Sequence, residues 1–84
     1  DADEAIRALR TATQQTLGAS AQLNMVGDRA NVTLKDASPD ALAEWLSQAR
    51  LNARSVPLEA RLVQGSAPAG VTWSGVVMMA LPAR

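Results

Sequence analysis

The 84-residue chain contains no cysteine, histidine, tyrosine or phenylalanine. Without cysteine it has neither a disulfide framework nor a thiolate metal site, and the compartment is left open, since such a domain folds in oxidising or reducing surroundings alike. The usual side-chain bases and nucleophiles are missing with histidine and cysteine. Charge of one sign is also lacking: eight basic and eight acidic residues cancel, so no overall field draws in nucleic acid or an anionic membrane. The longest apolar run, Gly75 to Leu81, falls well short of the roughly 20 residues that span a bilayer, and no signal-peptide pattern opens the chain. The chain is expected to be soluble. Its abrupt opening at Asp1 in a helical pattern fits a piece of a longer protein.

What is present is a single small domain, residues 1–84, because a chain this short cannot fill two cores. Its 48% apolar share is dominated by seventeen alanines, leaving ten Leu, seven Val, three Met, two Trp and one Ile to exclude water. The core is therefore thin.

From Asp3 to Leu17, Ile6, Leu9, Thr13 (by its methyl) and Leu17 recur at helical steps, and Gly18 suits the position after a helix end. Strict alternation follows: Ala21, Leu23 and Met25 share one face, as do Ala30, Val32 and Leu34. Val26-Gly27-Asp28-Arg29 suits a two-residue type II′ turn. Such a turn pairs Met25 with Ala30, Leu23 with Val32 and Ala21 with Leu34, setting apolar residues opposite one another. Ser38 as N-cap, Pro39 at N1 and Asp40 in the first turn open a second helix, whose stripe is Leu42, Trp45, Leu46, Ala49 and Ala53. Leu58, Ala60 and Leu62 then alternate with Glu59 and Arg61, with Pro57 confining this strand to an edge or unpaired start. A Gly65–Gly70 loop and a last strand, Val71 to Leu81, complete the chain.

The order helix-strand-strand occurs twice. Two such αββ repeats predict an α+β fold: a four-stranded antiparallel sheet with two helices on one face, a circularly permuted ferredoxin-like sandwich in which the first strand has moved to the end. The other sheet face is left uncovered.

Catalytic constellations fail one by one. Neither serine segment, Gly18-Ala19-Ser20 nor Trp73-Ser74-Gly75, completes a nucleophile elbow, and the carboxylates are scattered over caps, turns and strand faces. No calcium-type Asp/Asn loop is present, and Gly65–Gly70 lacks the Lys-Ser/Thr that completes a phosphate loop. RNA binding on the sheet would need aromatic platforms and positive charge. Alternation places Trp73 with Val71, Val77 and Met79 on the buried side, and Trp45 lies within a helix stripe. The chain is thus expected to have no catalytic residues, no metal and no cofactor.

The last strand is unusual. Its buried parity is Val71, Trp73, Gly75, Val77, Met79 and Leu81, yet the other face passes from Thr72 and Ser74 to Val76, Met78 and Ala80. A strand covered on both sides by the chain's own ends, or isolated apolar exposure, accounts for this as readily as a partner-binding strip at Val76, Met78 and Ala80 does.

With Ala41-Leu42-Ala43-Glu44-Trp45-Leu46 opening the second helix, the strand Pro57-Leu58-Glu59-Ala60-Arg61-Leu62, a loop with Pro68 and Gly70, and a valine-rich final strand, the chain resembles the periplasmic domain of type II secretion system protein M, the general secretion pathway M family. The resemblance covers nearly all 84 residues. Ser66, Ala67 and Ala69, and the very apolar strand end, depart from the pattern. The resemblance implies a non-enzymatic periplasmic scaffold domain of a bacterial inner-membrane protein, anchored only through a segment outside this chain. It also implies a homodimer that pairs with the periplasmic domain of protein L, without nucleic acid or small-molecule substrate. A type IV pilus alignment-complex protein shares that architecture. A ferredoxin-like small-molecule-binding regulatory domain is the alternative of another class and would need a cleft with convergent polar groups.

Overall fold

Ser38 begins the clearest local structure of the chain. In the computed structural model, which describes residues 2–68 and 70–82, its hydroxyl oxygen accepts from the Ala41 N–H at 3.1 Å and Pro39 occupies the first turn of helix α2, Pro39–Ala53. Helix α2 ends on Arg54, which adopts φ 52° in place of the usual glycine, while the Ser55 N–H returns to the Ala49 carbonyl at 3.0 Å. The first helix, α1, spans Ala2–Thr16. Leu17 leads from it through Gly18, at φ 55°, into a short 3-10 turn, Gly18–Ser20.

The strands are β1 Ala21–Val26, β2 Arg29–Ala37, β3 Val56–Ala67 and β4 Gly70–Ala80, in the sheet order β1-β2-β4-β3, all antiparallel. With both helices on one face, this is the expected permuted ferredoxin-like sandwich of two αββ repeats. The β1/β2 register is the one the two-residue turn dictates, with Ala21 opposite Leu34, Leu23 opposite Val32 and Met25 opposite Ala30. Of the two turn residues only Gly27 has positive φ, as a type II′ turn requires.

Two bulges re-aim the sheet. Between Leu34 and Ala37 the β2/β4 register shifts, and Asp36 sits at φ 53° with its N–H donating to Ser74 Oγ at 2.9 Å. A second shift, between Pro57 and Glu59, leaves Leu58 out of the β3/β4 ladder and exposed. Gly75, at φ 141°, lies against the β3 backbone so closely that a Cβ would be driven into the Arg61 carbonyl.

The expected Gly65–Gly70 loop is largely strand. Gly65, Ser66 and Ala67 pair with Thr72, Val71 and Gly70, so only Pro68 and Ala69 join the two strands, and Ala69 lies outside the described residues. This hairpin continues past Ala37, the last β2 residue paired with β4, which accounts for the 43 Å long axis. Val71, expected inside, is consequently exposed, two residues beyond the last β4 residue that β2 pairs, Trp73. Thr72, expected on the outer face, is buried beside Asp36, whose carboxylate accepts from its hydroxyl at 3.4 Å. The expected burial of Ala60 with Leu62 is only partial: Leu62 is half-buried against the core and Ala60 is exposed on the edge strand.

The core lies between helices and sheet. It combines Leu9, Leu17, Val32, Leu34, Trp45, Val77 and Met79 with Ala12, Ala30, Ala37, Ala49 and Ala53. The alanines let the helices and sheet approach closely enough for so few large side chains to close the interior.

Candidate interaction surface

Alternation along β4 sends Val77 and Met79 into the core and Val76, Met78 and Ala80 to the helix-free face, where all three are half-buried. The register supplies their neighbours. Val76 lies between Thr33 and Arg61, Met78 between Asn31 and Glu59, and Ala80 between Arg29 and Val56. An apolar strip thus runs down the middle of the face, flanked by polar residues except at Val56.

Val76 and Met78 come together in a shallow depression of about 290 Å³ that is completed by Asn31, Glu59 and Arg61. Ala80 continues the strip beyond it, and its carbonyl accepts from the buried Ser55 hydroxyl at 2.6 Å, which fixes the strand end. On the rim, Arg61 Nε donates to Glu59 Oε1 at 3.4 Å. Both side chains are well exposed, so the pair contributes little to stability. On the other flank, Asn31 Oδ1 is buried with no hydrogen-bond partner. Such an orphaned acceptor costs about 1–3 kcal/mol.

Asn31, Glu59 and Arg61 were not visible as site residues in the sequence. Each falls on the polar parity of its own strand, and only the placement of β4 between β2 and β3 gathers them around the apolar strip. A second concavity, about 500 Å³, lies between α2 and the start of β3 and is lined in part by Leu46, Arg50, Leu51, Val56 and Pro57. Leu51 is 75% exposed there. Its departure from the stripe of α2 was the available signal for this groove.

Among the described residues no three acidic side chains converge in a way that could hold a metal ion, and no helix is long and apolar enough to cross a membrane. Trp45 is fully buried in the core, whereas Trp73, expected on the buried side, is half-buried opposite Ala37 and Gln64 and is not among the core residues. No family model, curated protein or solved structure matches the chain.

Proposed function

We propose that the domain is a non-enzymatic pairing module of the type II secretion inner-membrane platform, the periplasmic part of a bacterial inner-membrane protein like protein M. It pairs with itself and with the periplasmic domain of protein L, and so supports protein export across the outer membrane. The observation that carries this reading is the helix-free sheet face, where Val76 and Met78 floor a depression beside the unpartnered Asn31 Oδ1. A protein surface presenting an apolar side chain between polar groups would cover the strip and meet the exposed Glu59 and Arg61 on its rim. The duplicated αββ order agrees with it.

The alternative, a small-molecule regulatory domain, would use the groove between α2 and β3. That groove fits it poorly: the Ser55 hydroxyl is already bound to the Ala80 carbonyl, leaving Arg50 and Ser47 as its polar side chains.

Calorimetric titration with the periplasmic domain of protein L tests the proposal. The wild-type domain should bind, and Met78→Glu should weaken binding tenfold or more by placing a carboxylate in the desolvated strip, with the melting temperature nearly unchanged. Absence of binding, or a Met78→Glu variant that binds like wild type, contradicts it.

A further inference from the structure

The two free edges of the sheet differ in kind. The outer edge of β3 begins with Pro57, the bulged Leu58, Glu59 and Arg61, which are features that discourage another strand from pairing. The outer edge of β1, Ala21-Gln22-Leu23-Asn24-Met25-Val26, has no charge, no proline and no bulge.

Its hydrogen-bonding groups are also arranged regularly. Val26 and Arg29 close the two-residue turn, so in the β1/β2 ladder Val26, Asn24 and Gln22 form the hydrogen-bonded pairs. Both backbone groups of Leu23 and Met25 and the Ala21 C=O consequently point away from β2, while the Ala21 N–H donates to the Gly18 carbonyl of the 3-10 turn. The side chains of these same three residues lie on the helix face, half-buried against the core.

We propose that the β1 edge is the self-pairing seam: two copies join β1 to β1 antiparallel about a two-fold axis at Leu23, forming one continuous eight-stranded sheet. This register sets Leu23 opposite Leu23 and Ala21 opposite Met25 of the second copy. The Leu23 pair then forms two hydrogen bonds and each Ala21–Met25 pair forms one, from the Met25 N–H to the Ala21 carbonyl. On the helix face the half-buried apolar side chains cover one another, and on the other face Gln22 meets Asn24 of the second copy.

A second copy is the occupant that the sheet itself favours. The contact is isologous and closes on itself, and both edges of the joined sheet are then the protected β3 strands. A seam of six residues is short for an interface, which makes the dimer weak and exchangeable. The inference rests on the pairing function proposed above and assigns self-pairing to the edge, leaving the face around Val76 and Met78 to the heterologous partner.

Sedimentation equilibrium of the domain, from micromolar to millimolar protein, tests it. The wild type should show a concentration-dependent dimer. Gln22→Lys combined with Asn24→Lys puts like charges opposite each other twice in the seam and should weaken the dimer about tenfold; both positions are exposed, so the melting temperature is the control for folding. Gln22→Lys combined with Asn24→Glu should restore association through two opposite-charge pairs. A wild type that stays monomeric at every concentration, a dimer indifferent to the lysine pair, or a dimer abolished by Met78→Glu would each overturn the seam. Titration with protein L reads the sheet face separately, so the two proposals fail independently.

Discussion

Trp45 Nε1 on α2 donates a hydrogen bond to Thr13 Oγ1 on α1 across 2.9 Å of buried interior. The same hydroxyl donates to the Leu9 carbonyl one turn earlier in α1, at 2.7 Å. The largest side chain of the core is therefore held in place by a polar contact between the two repeats, and its N–H, costly to bury alone, is satisfied.

Thr13→Val keeps the shape of the side chain and removes the acceptor. It should cost about 1–3 kcal/mol by stranding the Trp45 N–H, a fall of several degrees in melting temperature for a domain this small. Trp45→Phe alone should also destabilise, and the double variant should cost less than the sum of the two. Additive losses in chemical denaturation would show that the contact couples nothing.

Gly75→Ala should be among the most damaging small changes. The new Cβ meets backbone atoms of Arg61 and Leu62, which cannot rotate aside, and φ 141° is strained for any L side chain. A loss above about 3 kcal/mol is expected, large enough to leave the purified variant unfolded by circular dichroism; a folded variant with near-native stability would contradict the close approach.

How much of this was readable depends on whether the cause was local. The β1/β2 hairpin was legible because a two-residue turn fixes register residue by residue, and α2 was legible from Ser38 and Pro39. The outer β3/β4 hairpin was not, since Gly65, Ser66 and Gly70 carry loop chemistry and only ladder pairing holds them extended. The burial of Thr72 depends on a bulge at Asp36 whose partner, Ser74, is 38 residues away. In the candidate site, the parity of Val76, Met78 and Ala80 could be read along one strand. The rim could not, because it is a product of strand order.

Asn31→Val removes the orphaned acceptor and adds a residue that favours strands. Stability should hold or rise by up to about 1 kcal/mol in urea unfolding; a clear loss would mean that the acceptor is satisfied within the domain.

Arg54→Gly should stabilise. Arg54 occupies the left-handed region at φ 52°, where an L side chain carries a penalty of about 1–2 kcal/mol that is partly offset by the greater unfolded-state freedom of glycine. A net gain near 0.5 kcal/mol is expected, read as a rise in melting temperature; a fall would assign Arg54 a stabilising contact larger than its strain.

The central claim, that the helix-free face receives a partner domain, is tested most directly by amide chemical-shift mapping during titration with the periplasmic domain of protein L. The account predicts that the largest shifts fall on Asn31, Glu59, Arg61, Val76 and Met78. Shifts confined to α1 and α2 would contradict it.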